Sequence, residues 1–190
     1  MPREDALKAA HLIERLERLA RGQEATDRLN PAQWQALRYL ASTNRFSRTP
    51  AALADFLAST RGTVSRTIAA LEANGYVTRR SNREDRRGVV LALTAKAEKA
   101  LEDDPLLDLA RDVEEALGGD SARLAQSLSA VLMRAVSRNE RRPFGICLQC
   151  RHFRRNAHPS AVMPHHCALL DEQLSEIDGH SICVEQEAAA

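Results

Sequence analysis

Three helix-start signals follow one another between residues 30 and 60, and they constrain the fold more than any other feature of the chain. Asn30 precedes Pro31 and Thr49 precedes Pro50, and in each pair a capping side chain stands before a proline that suits the first helical turn. A third helix is expected to begin near Thr60. Short helices that start so closely together have to pack around one small core.

The hydrophobic period changes after the third of these helices. Asn74 and Gly75 are typical of a helix end. Two β-prone runs follow, YVTRR and VVLALT, and the polar segment SNREDRRG separates them, which predicts a two-stranded hairpin. Helices followed by an Arg-tipped hairpin indicate a winged helix-turn-helix, with its core at about residues 30–94.

Further helices are predicted on either side of this core. Residues 4–24 repeat apolar side chains at helical spacing, and Gly22 is expected to end that helix. Thr94 is expected to cap another helix, which Asp104 and Pro105 interrupt. The predicted fold class is therefore mainly α, with a small β contribution (α+β).

The last predicted helix covers residues 121–138. Gly118 and Gly119 stop the helix before it, and Asp120 or Ser121 caps its start. Its apolar side chains fall on one face: Leu124, Leu128, Val131, Leu132 and Val136. Taken alone, the apolar stripes of residues 4–24 and 121–138 fit either packing within one chain or the seam of a dimer.

The composition is that of a folded, water-soluble protein, with 44% apolar and 28% charged residues. We find neither an apolar run of membrane-spanning length nor a signal peptide, so no membrane partner and a cytoplasmic location are expected. The net charge is only +1, but residues 61–87 contain seven Arg against three acidic residues. That local excess predicts a basic face for double-stranded DNA.

The second helix of a helix-turn-helix enters the major groove with the side chains of its N-terminal part. The predicted contacts to bases or phosphates are Arg61, Thr63, Ser65 and Arg66. Gly62 would let the helix start approach the duplex, while Ile68 and Leu71 face the core. The hairpin tip would reach the minor groove through Arg83, Arg86 and Arg87, with Asp85 orienting an arginine.

These segments together resemble the MarR-type transcriptional regulators. The resemblance runs from about residue 5 to residue 138 and is most specific over 49–94, where Asp85 and Arg87 precede VLALT. It implies a homodimer built from the first and last helices, a palindromic site, usually repression, and no enzyme activity. It also implies that Arg87 is the minor-groove residue and Asp85 its support.

The sequence departs from this family in two places. Ala97 and Glu98 stand where a glycine is usual, and Pro105 interrupts the following helix. The family's small-molecule pocket lies between the dimer and DNA-binding parts. Both departures therefore argue against a phenolic effector and leave any small-molecule effector unidentified.

All four cysteines lie beyond the boundary at Arg141, Arg142 and Pro143, which divides residues 1–142 from a cysteine-rich tail at 143–190. They are Cys147, Cys150, Cys167 and Cys183. Residues 144–190 contain only eleven Leu, Ile, Val and Phe, so this small, irregular module needs a staple. Four thiolates are a complete ligand set for zinc or an iron–sulfur cluster, and metal binding would stabilise the tail.

The spacing favours an iron–sulfur cluster over zinc, because one C-x2-C pair is followed by two well-separated single cysteines. His165 and His166 flank Cys167 and are alternative ligands, although exposed polar histidines are the simpler interpretation. Arg151, Arg154 and Arg155 would offset the thiolate charge.

Three hypotheses follow from these patterns. The preferred one is a dimeric regulator whose metal module senses iron, redox state or oxygen by changing how the tail packs on the dimerisation helices. The second is the same regulator with a structural zinc site and a different effector. The third, least favoured, is a thiol redox switch or oxidoreductase at Cys147 and Cys150.

Overall fold

The computed structural model describes residues 3–24, 29–81, 88–158 and 162–188. Its first seven helices and first hairpin follow the predicted order. They are α1 (Glu4–Glu24), α2 (Pro31–Ser42), α3 (Pro50–Phe56), α4 (Arg61–Ala73), β1 (Val77–Ser81), β2 (Val89–Leu93), α5 (Ala95–Glu102), α6 (Leu106–Leu117) and α7 (Ser121–Arg138). A short 3-10 turn, Arg45–Ser47, connects α2 to α3.

The predicted capping residues begin the three short helices. Asn30 accepts a hydrogen bond from the Gln33 backbone at 3.0 Å, and the Gln33 side chain accepts one from the Asn30 backbone at 2.8 Å, which completes a capping box. Thr49 and Thr60 each accept from the backbone three residues on. Local sequence therefore fixes where α2, α3 and α4 begin.

The main core lies where these helices meet the hairpin. Its largest fully buried aliphatic side chains come from α2, α3, α4, β1 and β2: Leu37, Leu40, Leu53, Val64, Ile68, Leu71, Val77 and Leu91. β1 pairs antiparallel with β2, from Val77 opposite Leu93 to Ser81 opposite Val89. The winged helix-turn-helix predicted for residues 30–94 is thus confirmed as a fold.

The structure tests two predicted helix boundaries, the end of α1 and the break before α6. The predicted helix over residues 4–24 is confirmed, and Gly22 does not end it, because α1 continues to Glu24; an isolated glycine weakens a helix without stopping it. The predicted interruption at Asp104 and Pro105 is confirmed. Arg38 of α2 donates two hydrogen bonds to the Asp104 carboxylate, at 2.7 and 2.5 Å, so a buried charge pair holds the break.

The helix α7 starts at Ser121 after Gly118 and Gly119, both of which have positive φ. Asp120 occupies the capping position, but its side chain makes no capping hydrogen bond. Neither α6 nor α7 contains a buried residue.

The tail forms two small sheets and one short helix. Its elements are β3 (Gly145–Ile146), β4 (Phe153–Arg154), β5 (His165–Cys167), β6 (Glu172–Leu174), α8 (Glu176–His180) and β7 (Ile182–Cys183). β3 pairs with β7, and the second sheet has the order β4-β5-β6. Its strands are two or three residues long, as expected of a segment with so few large apolar side chains.

Candidate nucleic-acid interface and cysteine cluster

The helix α4 presents one polar face to solvent and buries the other. Arg61, Thr63, Ser65 and Arg66, the four predicted contacts, are all exposed. Val64, Ile68 and Leu71 on the opposite face are 2%, 1% and 0% exposed. The core therefore anchors α4 through its apolar face and leaves the predicted DNA-contacting face free.

The start of this exposed face is ordered by two threonines. The Thr60 and Thr63 hydroxyls lie 2.9 Å apart, and Thr60 also accepts from the Thr63 backbone at 3.2 Å. This arrangement fixes the first turn of α4, in which the Arg61 side chain is exposed. Gly62 follows Arg61, and a Cβ built on it would meet nothing within 4 Å, so the surface above this turn is open.

The other predicted DNA contacts lie in the hairpin tip. Arg83, Asp85, Arg86 and Arg87 are outside the described residues, so their predicted roles stay predictions. On the described part of the hairpin, Arg79 makes a 3.1 Å ion pair with Glu72 of α4. This contact ties β1 to α4.

The cysteine cluster begins where β3 pairs with β7. Gly145 lies opposite Cys183, and the Cys147 backbone donates to the Ser181 carbonyl at 3.3 Å, so Cys147 and Cys183 lie side by side. Both are buried. Cys147 opens a 3-10 turn, and the Cys150 backbone donates to the Cys147 carbonyl at 2.9 Å. The turn brings the C-x2-C pair back towards β7.

The two buried thiols affect each other's ionisation. Contact with Cys183, together with burial, raises the pKa of Cys147. Contact with Cys147 lowers the pKa of Cys183. A negative charge on this pair is therefore favoured on Cys183.

Several donors point at these sulfurs. The Asn44 side chain donates to Cys147 Sγ at 3.3 Å, and the Glu187 backbone donates to Cys150 Sγ at 3.5 Å. The Ser47 hydroxyl and the Glu185 backbone help to lower the pKa of Cys183. Donors of this kind stabilise negative sulfur and are typical of the surroundings of metal-bound thiolates.

Cys167 lies on β5, opposite Phe153 of β4 and Glu172 of β6. Within the described part of the chain, no group of three or more His, Cys, Asp or Glu side chains is placed to hold a metal ion. The structure thus joins Cys147 with Cys183, and Cys150 is close enough that its charge contributes to the raised pKa of Cys147. The four-ligand set stays a prediction.

The simple expectation that the histidines are exposed was wrong for His165, which is 1% exposed. Its Nδ1 accepts from the Asn156 backbone at 3.1 Å, and its Nε2 lies 3.1 Å from the Glu176 carboxylate. Its ring packs on Phe153. His166 is half-buried, with Nε2 3.3 Å from the Asp171 carboxylate. Strand pairing buried His165, and the flanking sequence carries no signal of this.

The tail docks on residues 43–48, which we call the α2–α3 turn. The Ile182 carbonyl accepts from the Thr43 hydroxyl and from the Asn44 backbone, both at 2.9 Å. The Val184 backbone donates to the Ser47 hydroxyl at 2.9 Å. The tail was expected to pack on the predicted dimerisation helices. Instead, β7 and the residue after it contact the α2–α3 turn through their main chain.

Charge and aromatic contacts extend this interface. Arg45 makes a 2.9 Å ion pair with Asp178. The ring of Phe144 packs edge-on against Phe56 at 5.1 Å and against Tyr39 at 6.4 Å between centroids. The sequence does not predict this interface, since the partners lie more than 80 residues apart and no local pattern links them.

A second surface is apolar and exposed. On α1 it comprises Leu12, Ile13, Leu16 and Leu19, and on α7 it comprises Leu128, Val131, Leu132 and Met133. Leu19 and Leu132 are 61% and 62% exposed. This surface lies on the helices predicted to form a dimer. None of the described helices is long and apolar enough to cross a bilayer.

Comparison with known proteins supports the fold. Residues 29–88 match the model of the MarR family. No curated protein matches the chain. This match covers the segment from α2 to β1 and ends just before β2.

Three solved structures share the architecture. A MarR transcriptional regulator from Methanosarcina mazei Go1 is 24% identical and has a TM-score of 0.55, over 71% of this chain and 99% of its own. A mutant of MarR from E. coli is 26% identical, with a TM-score of 0.52, over 70% and 98%. FabT from Streptococcus pneumoniae, in complex with DNA, is 20% identical, with a TM-score of 0.55, over 70% and 99%.

Proposed function

We propose that this protein is a sequence-specific DNA-binding transcription regulator of the MarR type, without enzyme activity and located in the cytoplasm. The observation that carries the proposal is the exposed polar face of α4, with Arg61 and Arg66, on a buried apolar base. FabT from Streptococcus pneumoniae, which shares the fold, is solved in complex with DNA.

In this proposal α4 enters the major groove with its N-terminal turn. Arg61 and Arg66 can each bind guanine with two hydrogen bonds or neutralise a phosphate. The hydroxyls of Thr63 and Ser65 can contact bases or backbone. The arginines predicted for the hairpin tip, with Asp85 orienting Arg87, would add contacts in the minor groove.

The exposed apolar side chains of α1 and α7 support a homodimer. A second copy that covers side chains such as Leu19 and Leu132 removes their apolar surface from water, which is favourable. A two-fold dimer presents two recognition helices, so the operator is a palindrome. We propose that binding represses transcription, as the resemblance implies.

We further propose that Cys147, Cys150, Cys167 and Cys183 hold an iron–sulfur cluster that senses iron, redox state or oxygen. The donors directed at the sulfurs of Cys147, Cys150 and Cys183 support thiolate ligands, because a neutral thiol accepts hydrogen bonds weakly. When bound, such a cluster supplies a charge that changes with oxidation or with its loss. The chain's own contribution is to hold the sulfurs against the α2–α3 turn.

A structural zinc site on the same cysteines, with His165 or His166 as alternative ligands, is the second candidate. The buried pair of Cys147 and Cys183 favours it, because zinc requires closely spaced thiolates. A thiol switch is the third candidate. The pair that supports it is Cys147 with Cys183, which are both buried where β3 pairs with β7, rather than the C-x2-C pair.

The DNA-binding proposal is tested by fluorescence anisotropy on a duplex from the region upstream of the protein's own gene. Arg61→Ala and Arg66→Ala are each expected to weaken binding by about ten-fold, which corresponds to roughly 1–2 kcal/mol. Arg18→Ala on α1 removes the same charge from another exposed helix and should bind like the wild type. Equal loss in all three variants would mean that charge alone, and not the α4 face, drives binding.

Anaerobic purification separates the metal candidates. A brown protein with broad visible absorption, and with iron and sulfide in fixed ratio, is expected for the cluster. A colourless protein with stoichiometric zinc would establish the second candidate, and a metal-free protein the third. In the first case Cys167→Ser should abolish the colour, since the fourth ligand is lost.

A further inference from the structure

One buried side chain links the cysteine cluster to the DNA-binding helices. Asn44 is 2% exposed, and its amide group makes two contacts in opposite directions. Its oxygen accepts from the Ser47 backbone at 2.9 Å, and its nitrogen donates to Cys147 Sγ at 3.3 Å. The same amide therefore caps the 3-10 turn of the helix-turn-helix and contacts a sulfur 103 residues away along the chain.

We propose that Asn44 is the positioning residue that transmits the state of the cysteine cluster to the recognition helix, an inference that rests on the proposed function. A sulfur with negative charge is a stronger hydrogen-bond acceptor than a neutral thiol or a disulfide sulfur. A change in the charge of Cys147 therefore changes how firmly Asn44 is held. Since both contacts belong to one planar amide, rotation towards one partner moves the group away from the other.

Ser47 receives this change directly. Its backbone N–H is bonded to Asn44, its hydroxyl accepts from the backbone of Val184, the residue after Cys183, at 2.9 Å, and its carbonyl accepts from the Tyr39 hydroxyl at 2.7 Å. Cys147 thus reaches this three-residue turn through Asn44, and the chain next to Cys183 reaches it through Val184. A shift of Cys147 relative to Cys183 has to be accommodated in that turn.

From Ser47 the path to α4 is short. The Thr49 backbone donates to the Ser47 carbonyl at 2.9 Å, and Thr49 caps α3. Leu53 of α3 and Ile68 of α4 are both fully buried in the same core, so α4 follows a displacement of α3. Closely packed cores transmit small displacements because they leave no room for independent adjustment.

The other contacts between the tail and the α2–α3 turn stabilise the interface without touching a sulfur. Thr43 bonds the Ile182 carbonyl, and Arg45 pairs with Asp178. Neither contact includes a cysteine. Changes there are expected to loosen the tail in every metal state, whereas a change at Asn44 should remove only the dependence on that state.

Asn44→Ser tests the proposal in the full-length protein. Serine retains an acceptor that can cap Ser47, but it is too short to reach Cys147. Asn30→Ser is the matched control, because Asn30 makes the same kind of cap on α2 and contacts no cysteine. Metal content and thermal unfolding are measured first, to establish that both variants fold and load.

The readout is the ratio of operator affinities, at fixed salt, between protein loaded with Fe2+ and sulfide and the same protein reduced and metal-free. Zn2+ loading is measured in parallel. We expect wild type and Asn30→Ser to share a ratio of about five-fold or more, which is typical of coupled sites. The ratio for Asn44→Ser is expected to fall close to one. An unchanged ratio in Asn44→Ser would overturn the proposal.

A readout that does not involve DNA separates this proposal from the proposed function. The backbone amide of Ser47 is followed by NMR and hydrogen exchange on metal loading. If the operator affinity of the wild type does not change on metal loading, the sensing function fails. The response of the Ser47 amide then tests separately whether Asn44 connects Cys147 to the turn. A Ser47 response in wild type that is absent in Asn44→Ser supports the link, and equal responses in both overturn it.

Discussion

At the scale of single residues, Tyr39 shows how burial and one hydrogen bond act together. It is 1% exposed, and its hydroxyl donates to the Ser47 carbonyl at 2.7 Å. Burial raises the pKa of Tyr39 from 10 to about 12. Because the folded state holds the neutral form, its stabilisation is complete below pH 10 and is lost as the pH rises from 10 towards 12.

Tyr39→Phe is therefore expected to behave differently at neutral and alkaline pH. Near pH 8 it should lower the free energy of unfolding by about 1 kcal/mol, through loss of the hydrogen bond. The wild type should then lose about 2–3 kcal/mol between pH 10 and 12 that the variant does not lose. Urea unfolding at both pH values measures the difference. The control Tyr76→Phe keeps Tyr39 and should lose the same stability at alkaline pH as the wild type. If Tyr39→Phe also lost that stability, Tyr39 would not be its source.

Asp104 is the second residue whose burial predicts a measurable effect. It is 8% exposed, is bonded to Arg38, and accepts from the Leu106 backbone at 2.8 Å. Asp104→Ala leaves the Arg38 charge without this partner and should lower the free energy of unfolding by about 3 kcal/mol. Asp108→Ala removes an exposed ion pair with Arg111 and should cost less than about 1 kcal/mol. Similar values for the two variants would contradict a role of burial.

At the scale of elements, one glycine within α4 and one just after it are expected to affect stability and DNA binding differently. Gly75 follows the helix with φ +74°, where a Cβ is strained, although no neighbour would contact it. Gly75→Ala should therefore lower the free energy of unfolding by about 1 kcal/mol. Gly62 lies in the first turn of α4 without such strain, so Gly62→Ala should leave stability equal or raise it by about 0.5 kcal/mol.

The two variants are expected to reverse their order in DNA binding. Gly62→Ala places a methyl group on the face predicted to approach the duplex and should weaken binding, while folded Gly75→Ala binds like the wild type. Unfolding curves and anisotropy on the same preparations give both numbers. Normal binding by Gly62→Ala would show that this turn does not approach the duplex closely.

Elements fixed by neighbouring residues were predictable, and elements fixed by distant residues were not. Asn30 and Thr60 act within one helical turn, so their caps could be inferred from sequence. The pairing of Thr43 with Ile182 joins residues 139 apart. The spacing of the cysteines indicated a shared site but not that Cys147 and Cys183 would be the pair in contact, because β3–β7 pairing decides this.

At the scale of the whole molecule, the exposed apolar surface of α1 and α7 predicts assembly. Leu132→Glu places a charge in the proposed seam and should convert the dimer to a monomer in light scattering after gel filtration, with a large loss of operator affinity. Ile177→Glu makes the same substitution at an 80% exposed tail position and should remain dimeric. Monomer in the wild type, or dimer in Leu132→Glu, would contradict the proposed seam.

The contact between β7 and the α2–α3 turn also has a consequence for protein synthesis. The ribosome makes α2, α3 and α4 first, and these helices can form their core while the rest of the chain is still being added. The partner of Thr43 arrives only when residue 182 has emerged, at about 5–20 residues per second. The helix-turn-helix can thus fold on the ribosome before the tail docks on its turn.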